Sequence, residues 1–476
     1  MLLLGGFFLV ILHDSELKMR IFEAIARAKA LAAPVLVSEV HKIEHIEPLS
    51  FFYSGCEKYF GERFFWKDPS DQAFFVGLGI CKQIQTDQSA DRFIDVHNEW
   101  KRFTENSMIF NPYTHNGLGP TMFGGFSFDP LKAKTTLWTK FSHSLFHIPK
   151  YMLSIIDGQA YLTSNILCTQ HDDDSLVGKI NREREQLLAS AKVGKEYRES
   201  HLAKTEEIQP DAWKKTVDDI ADALKKGPLK KVVLARELRL HFHEPIQVEK
   251  VLEHFLLEQK ASFVFAFESN GDCFVGASPE RLLKKSGNDL FTTCLAGSIK
   301  RGKTVEDDKR LEQDILTDQK NLIEHHYVVQ MIKEAMSEVC QQVIIPERPA
   351  LMKMRDIQHL YTPVIGKTDG HTSLLQIVER LHPTPALGGL PKKEAVEKIR
   401  EVELMDRGLY GGPIGWMDYR ENGEFAVAIR SGLIQGDQAS LFAGCGVVAD
   451  SNSESEYLET NIKFRPMLTA LGGEGI

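Results

Sequence analysis

The sequence lacks the cysteine pattern of a disulfide-rich or zinc-binding protein. Its 476 residues include seven cysteines, and no two of them stand in a Cys-x-x-Cys spacing. An odd number of irregularly spaced cysteines is typical of reduced thiols, so we expect a cytoplasmic protein. The sequence also lacks an excess of positive charge, since its formal net charge is -9. Because binding to nucleic acid needs a basic surface, nucleic acid is not an expected partner.

The N-terminus lacks a hydrophobic run long enough to span a bilayer. The apolar segment MLLLGGFFLVIL is far shorter than the ~20 residues that a membrane helix needs. No basic segment precedes it and no small-residue cleavage site follows it, which argues against a signal peptide. A weak membrane anchor, a buried strand and an over-extended start with Met19 as the true initiator all stay open. We favour a soluble protein.

The sequence does contain enough apolar residues for a large core, 43% of the chain. Its strand-like segments come in adjacent runs and hairpins, such as KKVVLARELRLHF and ASFVFAFESNGDCFVGAS, instead of alternating with helices. This order favours an α+β fold with a mostly antiparallel sheet. We further expect a helical surface connector at residues 174–208, one long helix at about 306–339 and a final helix from about Ser453.

A lysine stands at the start of an otherwise apolar strand, GPLKKVVLAREL. The alternation of a strand places Val232 and Leu234 on one face, and Lys231 with Val233 and Ala235 on the other. A lysine at the mouth of a strand can simply extend its ammonium into water. Alternatively, it faces a pocket, where a lysine can act as a base.

Two further charged residues are candidates for a site. Glu280 follows Ser-Pro at the end of a strand, where it is either an ordinary turn carboxylate or a general acid across a pocket from Lys231. Arg430 lies in the apolar run FAVAIRSGLI, which we interpret as a strand. A cation there either forms a structural salt bridge or binds a ligand carboxylate through two hydrogen bonds. The small residues of AGCGVV allow a ligand to approach the backbone.

Three glutamates form a candidate cation site. Glu456, Glu459 and Lys463 are spaced i, i+3, i+7, so they share one face of the final helix. Taken alone, these positions are explained more simply by a capping box from Ser453 to Glu456 and a surface ion pair from Glu459 to Lys463. Glu324 lies on an apolar helix face, where a carboxylate either reaches solvent or is paired or metal-bound. Together the glutamates could hold Mg²⁺, which prefers oxygen ligands.

Taken in order, nine motifs resemble the chorismate-utilising enzymes, which are isochorismate, salicylate, anthranilate and aminodeoxychorismate synthases. The motifs are KKVVLAREL, GASPERLL, CLAGSIKRG, KNLIEHHYVV, QHLYTPVIGK, LHPTPALGGLPKKEA, DRGLYGGPIGW, FAVAIRSGLI and FAGCGVVADSNSESEYLETNIKF. The first half of the chain matches only through FFW, VGLG and FGGFSFD. The resemblance implies a single α+β catalytic domain at residues 19–476, built as a large antiparallel β-sandwich flanked by helices. Within it we expect a chorismate-binding module at residues 210–470 and a more variable N-terminal half at 19–205.

The resemblance implies a role for each candidate residue. Lys231 matches the lysine that activates water, and Glu280 matches the acid opposite it. Mg²⁺-associated carboxylates are matched by Glu324, Glu456 and Glu459. Substrate contacts are implied for Gly297, Ser298, Tyr410, Arg430, Gly444, Gly446 and Lys463. The Gly297–Ser298 pair stands in the family's AGT motif, where serine replaces threonine but keeps the hydroxyl.

The same resemblance indicates a branch of the family. The amine-forming members use ammonia, usually from a glutaminase partner, and lack the lysine, so no glutaminase subunit is expected here. LHPTPALGGLPKKEA and DRGLYGGPIGW resemble the isochorismate synthases of menaquinone biosynthesis. We therefore expect Mg²⁺-dependent conversion of chorismate to isochorismate by a monomer or weak dimer. A siderophore-pathway isochorismate or salicylate synthase and an inactive chorismate-binding subunit are the alternatives. Pro466 departs from the family, and we expect it to end or kink the final helix near Phe464.

Overall fold

The computed structural model describes residues 3–194, 196–354 and 357–473. The helices are α1 (Leu3–Leu31), α2 (Pro48–Ser54), α3 (Arg92–Glu105), α4 (Ser175–Ala191), α5 (Pro210–Leu224), α6 (Val248–Glu258), α7 (Val305–Thr317), α8 (Gln319–Ser337), α9 (Leu374–Leu381), α10 (Lys392–Val402) and α11 (Ser453–Ala470). The strands are β1 (Val35–Ile43), β2 (Arg63–Lys67), β3 (Ala73–Thr86), β4 (Met108–Phe110), β5 (Thr121–Phe126), β6 (Ser144–Ile156), β7 (Gln159–Cys168), β8 (Leu202–Glu207), β9 (Lys231–Phe242), β10 (Phe263–Ser269), β11 (Asp272–Ser278), β12 (Arg281–Ser286), β13 (Asp289–Lys300), β14 (Cys340–Ile344), β15 (Ala350–Lys353), β16 (Ile357–Thr368), β17 (Gly389–Leu390), β18 (Pro413–Asp418), β19 (Gly423–Val427), β20 (Ser431–Gln435) and β21 (Gln438–Val447).

The strands form one branched ladder, which divides at β6. Along one edge β6 pairs with β3, and along the other it pairs with β7 at one end and β5 at the other. The first arm runs β6–β3–β2–β10–β11–β20–β21–β9, and every pair in it is antiparallel. The second arm runs β6–β5–β18–β19–β12–β13–β16 and is also antiparallel throughout. Each arm therefore begins with strands from the first half of the chain and continues with strands from the second half.

Aromatic side chains fill the space between the two arms. Phe64 of β2 stacks on Phe123 of β5 with 4.5 Å between ring centroids, and Phe267 of β10 meets Phe123 edge-on at 5.6 Å. Aromatic residues favour strands because their side chains pack well on a pleated surface. Helices α2 and α6 cover the outer face of the first arm, where Phe52 and Phe255 are fully buried. This β-sandwich flanked by helices confirms the predicted α+β fold.

Two segments differ from the sequence-based expectation. The predicted connector at residues 174–208 contains α4 and then β8, which pairs with β9 and so belongs to the sheet. The predicted long helix at 306–339 is two helices, α7 and α8. They separate at Asp318, whose extended backbone breaks the helix and whose carboxylate accepts a hydrogen bond from the Asn321 N–H. A capping aspartate in mid-segment thus overrides the continuous helical pattern.

The final helix also corrects two expectations. Its N-cap is Asn452, whose side chain accepts from the Ser455 N–H, so the capping box from Ser453 to Glu456 is wrong. The helix continues through Pro466 to Ala470, so Pro466 does not end it near Phe464. Buried side chains on both sides of the proline hold the helix against the sheet, and this packing outweighs the lost backbone hydrogen bond.

The N-terminal segment is a helix, which excludes the buried strand considered from the sequence. Leu17 and Ile21 on α1 are buried in a small cluster with Val35 of β1 and Met108 of β4. Within the described ranges, no helix combines the length and the apolar character needed to cross a membrane.

Candidate active site

A cavity of about 260 Å³ lies between β9, β13, β21, α8 and α11. The twelve residues singled out from the sequence all line it, although they are spread over more than two hundred positions of the chain. They are Lys231, Glu280, Gly297, Ser298, Glu324, Tyr410, Arg430, Gly444, Gly446, Glu456, Glu459 and Lys463. The structure therefore brings every sequence-predicted site residue into one place.

Lys231 faces this cavity and not the solvent. Strands β9 and β21 pair so that Gly446 lies opposite Val233. A Cβ atom on Gly446 would stand 2.4 Å from the Lys231 Cε, so glycine at this position lets the lysine side chain cross the neighbouring strand as it does here. The Lys231 side chain is 11% exposed, and its Nζ donates to the Glu324 Oε1 at 2.5 Å.

Glu280 is a buried carboxyl group held at the end of a strand. β11 ends at Ser278, and Pro279 turns the chain so that the Glu280 side chain enters the cavity. The Ser278 hydroxyl accepts from the Glu280 N–H, and the Glu280 carbonyl accepts from the Val427 N–H. Burial raises the pKa of Glu280 to about 7, although Arg430, Lys231 and Lys463 act to lower it. The carboxyl group can therefore carry a proton near neutral pH.

Arg430 is not inside a strand, which corrects the interpretation of FAVAIRSGLI. β19 ends at Val427 and β20 begins at Ser431, and Arg430 between them has a φ of +53°. Its carbonyl accepts from the Ala277 N–H, which holds this strained turn in place. The turn directs the guanidinium into the cavity. A left-handed arginine leaves no recognisable signal in a sequence, because the apolar run continues across it.

A bulge shapes the wall formed by β13. The pairing of β13 with β16 shifts register between Leu295 and Ser298, and Gly297 within the bulge has a φ of +80°. After the bulge, Ser298 lies opposite His359, and its Oγ is 2.7 Å from the His359 Nδ1. His359 lines the cavity, and burial lowers its pKa to about 3, so the ring is neutral.

His359 is a cavity residue that our reasoning from the sequence missed. Its buried Nε2 has no hydrogen-bond partner among the described residues. The sequence offered part of the signal, since the histidine lies in the quoted motif QHLYTPVIGK, but its position opposite Ser298 depends on the register of β13 with β16. Asn321, one turn before Glu324 on α8, was missed in the same way.

The carboxylates of α11 are tied to partners within the cavity. Lys463 forms the predicted i,i+4 ion pair with Glu459 at 2.6 Å, and its Nζ also donates to the Gly444 carbonyl at 2.8 Å. The pair lines the cavity instead of the outer surface. Burial would raise the pKa of Glu459, but Lys463 and Arg430 outweigh it and hold the pKa below its usual value. Burial, together with the Glu459 charge, raises the pKa of Glu456, against the hydrogen bond from Ser451.

The three glutamates suit a hard cation by their chemistry. In the described part of the chain, no three potential metal ligands converge closely enough to enclose an ion by themselves. Mg²⁺ does not require such an enclosure, because it is usually held by one or two carboxylates, waters and an anionic ligand. Glu324, Glu456 and Glu459 offer carboxylates around a cavity that also presents cations for an anionic ligand.

Tyr410 closes the cavity near the glycine-rich strand. It lies in the turn GLYGG, and its hydroxyl is 3.4 Å from the position that a Cβ of Gly444 would occupy. Burial raises the pKa of Tyr410 to about 12, so the hydroxyl keeps its proton and can donate to an anion.

Comparison with known proteins identifies the family of the chain. The family model described as "Chorismate binding enzyme" matches residues 23–472. The isochorismate synthase MenF of Bacillus subtilis is 44% identical to the chain, covering 95% of this chain and 97% of that protein. The salicylate biosynthesis isochorismate synthase of Pseudomonas aeruginosa is 33% identical over 94% of both chains.

The fold is shared with a solved structure. The menaquinone-specific isochorismate synthase MenF of Escherichia coli superposes with a TM-score of 0.75 at 23% identity, covering 95% of this chain and all of that one. At this identity the structural match shows a shared fold, whereas the family model and the two relatives show similarity of sequence. The chain therefore belongs to the family of chorismate binding enzymes, as its motifs predicted.

Proposed function

We propose that this chain is an isochorismate synthase, which converts chorismate to isochorismate with Lys231 as the base and Glu280 as the acid. The observation that carries the proposal is that one cavity contains both a lysine that faces it and a buried carboxyl group, Glu280, whose pKa is about 7. These are the two groups that an exchange of hydroxyl positions requires, one to accept a proton and one to donate it. The 44% identity to a Bacillus subtilis isochorismate synthase over nearly the full length of both proteins supports it.

The cavity fits a substrate with two carboxylates. Arg430 and Lys463 supply positive charge, and the Tyr410 hydroxyl can donate a further hydrogen bond. Gly444 and Gly446 leave the backbone of β21 open to close approach. These groups would fix the carboxylates of chorismate and so orient its ring between the base and the acid.

The reaction balances with water as both reactant and product. Lys231 removes a proton from water while the water oxygen bonds to C2 of the ring, and the ring double bond shifts. Glu280 gives its proton to the C4 hydroxyl, which leaves as water. One water enters and one departs, so the overall change is an isomerisation.

We assign Mg²⁺ to Glu324, Glu456 and Glu459. When bound there, it would neutralise a substrate carboxylate and compete with Lys231 for Glu324. Lys231 can accept a proton only as a neutral amine, so its ammonium has to leave the contact with Glu324 and release a proton to solvent before it can act as a base. Glu459 and Lys463 would keep their helix face directed at the substrate.

We assign the product to menaquinone biosynthesis. The Bacillus subtilis relative carries the name MenF and is 44% identical, against 33% for the Pseudomonas aeruginosa relative named for salicylate biosynthesis. Both names describe isochorismate formation, so the reaction is the same in either case and only the use of the product differs.

Product analysis tests the proposal. The purified chain should be incubated with chorismate and Mg²⁺ in the absence of ammonia, and the products should be separated by chromatography. Isochorismate as the sole product supports the proposal. Salicylate with pyruvate would show that the chain continues to a second step, and bound but unconverted chorismate would show a binding subunit. A reaction without protein is the control for non-enzymatic conversion, and the Lys231→Gln variant tests the assignment of the base.

A further inference from the structure

One edge of the strand that carries Lys231 has a gap in its pairing. On the side away from β21, β17 pairs with Lys231 and Val232, and β8 pairs with the far end of β9 from Leu238 onward. Between them no strand of the described chain pairs with residues 233–237. An unpaired buried backbone group costs free energy, so this gap has to be filled by other donors and acceptors.

A buried ion pair fills the gap. The Glu403 carboxylate accepts from the Ala235 N–H at 2.7 Å, and the Arg407 Nη2 donates to the Val233 carbonyl at 2.8 Å. The Arg407 Nε donates to Glu403 Oε2 at 2.9 Å, and its Nη2 also contacts the other carboxylate oxygen. Both side chains are 3% exposed. The ion pair therefore supplies two of the hydrogen bonds that a neighbouring strand would have made. Two more come from loop backbone, since the Val233 N–H donates to the Gly388 carbonyl and the Glu237 carbonyl accepts from the Ile208 N–H.

Arg407 extends the connection to two other cavity walls. Its Nη1 donates to the carbonyl of Leu387, a residue that lines the cavity. Its own carbonyl accepts from the N–H of Tyr410. The guanidinium lies over the Phe128 ring, 4.1 Å from the centroid, which fixes its plane. Arg407 thus contacts three segments that meet at the cavity, two through its guanidinium and one through its backbone carbonyl, while neither Glu403 nor Arg407 lines the cavity.

We propose that Glu403 and Arg407 are positioning residues for the reaction, which hold the backbone of β9 so that Lys231 faces its target. Lys231 lies two residues before Val233 and four before Ala235. It stands at the end of β9 where β17 pairs with only two residues of the strand. A shift in this strand moves the lysine Nζ relative to the substrate, and a displacement of about 1 Å can cost about 100-fold in rate. This inference rests on the proposed role of Lys231 as the base.

The variants that test it are Arg407→Lys and Glu403→Gln. Lysine keeps the charge but cannot donate to Glu403, Val233 and Leu387 in the fixed geometry of a guanidinium. Glutamine keeps an acceptor for the Ala235 N–H, but it loses the charge, and its NH2 group replaces the oxygen that accepts from the Arg407 Nε. We expect kcat to fall about 10–100-fold in Arg407→Lys and less in Glu403→Gln, whereas KM in Glu403→Gln stays near that of the wild type.

Arg63→Lys is the matched control. Arg63 is also a fully buried arginine, paired with Glu268 and Glu249, and none of these residues lines the cavity. We expect Arg63→Lys to lower stability against urea as Arg407→Lys does, but to leave kcat within about 2-fold of the wild type. Hydrogen exchange of a peptide covering residues 231–238 gives a readout that does not depend on turnover. It should become faster in Arg407→Lys and stay unchanged in Arg63→Lys.

The outcomes separate the inference from the proposed function. Wild-type kcat and unchanged exchange in a folded Arg407→Lys protein would overturn the inference, as would an equal loss of kcat in Arg63→Lys. If Arg407→Lys does not fold, Glu403→Gln is judged by the same two readouts. If Lys231→Gln turns over at the wild-type rate, the assignment of the base fails, while the exchange experiment still reports whether the ion pair holds β9.

Discussion

The two halves of the chain share one sheet system but divide its tasks. The N-terminal half contributes β1 to β8 and much of the aromatic core, including Phe64 and Phe123, whereas every residue lining the cavity lies between Lys231 and Lys463. β2 pairs with β10 and β5 pairs with β18, so the first half supports the strands that carry the site without reaching it. Substitutions of cavity residues in the second half should therefore act on turnover, and substitutions of buried residues in the first half on stability.

The largest expected effect is that of Lys231→Gln. General-base loss typically costs about 10²–10⁴-fold in rate, and we expect a loss in this range. Glutamine is similar in length to lysine. The Glu324 side chain is 34% exposed, so water can solvate its charge when the ion pair is lost, and the fold and chorismate binding should persist. Steady-state turnover measures the loss of rate, and calorimetric titration with chorismate measures whether binding persists. Isochorismate formation at the wild-type rate would show that another residue is the base.

A second strong effect concerns Glu280 and pH. As an acid Glu280 must be protonated, so kcat/KM should fall as the pH rises through about 7, the pKa of the buried carboxyl group in the free protein. A bound substrate with two carboxylates disfavours the charged form further, so kcat should fall at a higher pH than kcat/KM. Glu280→Gln should lose about 10²–10⁴-fold in rate, together with this dependence. An unchanged alkaline limb in Glu280→Gln would assign the limb to another group.

A smaller effect is expected from Glu459→Gln, which changes one of the carboxylates assigned to Mg²⁺. Chelation should abolish turnover. Glu459→Gln should raise the Mg²⁺ concentration needed for half-maximal activity by at least about 10–100-fold. This is the loss of metal affinity when only an outer-sphere partner is removed, and losing a direct ligand costs more. Glu324→Gln should also remove most activity, but it changes the partner of Lys231 as well and is harder to interpret. Glu454→Gln is the control, because this glutamate lies on the same helix, pairs with Lys214 and does not line the cavity. Full turnover after chelation would contradict the assignment.

The sequence predicted which residues meet in the cavity better than it predicted the local structure around them. All twelve candidate residues reach one cavity, because the motifs report chemistry directly and antiparallel pairing brings distant strands together. The errors lie where local signals compete with packing. Pro466 is a strong helix breaker, yet buried neighbours keep α11 intact, and the left-handed turn at Arg430 is hidden in an apolar run. The partner of Lys231 and the ion pair behind β9 depend on contacts between segments that no local pattern records.

The smallest effect on turnover is expected from a chain that starts at Met19. This truncation removes Leu17, which is 2% exposed and packs in the small cluster with Ile21, Val35 and Met108. Burial of a leucine side chain contributes about 1.5–3 kcal/mol, so urea denaturation should show a loss of this order. Leu17→Ala in the full chain should reproduce most of that loss. Because the cluster lies in the half that does not line the cavity, kcat should equal that of the wild type. A folded truncated protein with reduced kcat would show that the N-terminal half influences the chemistry, and the division between the two halves would then be wrong.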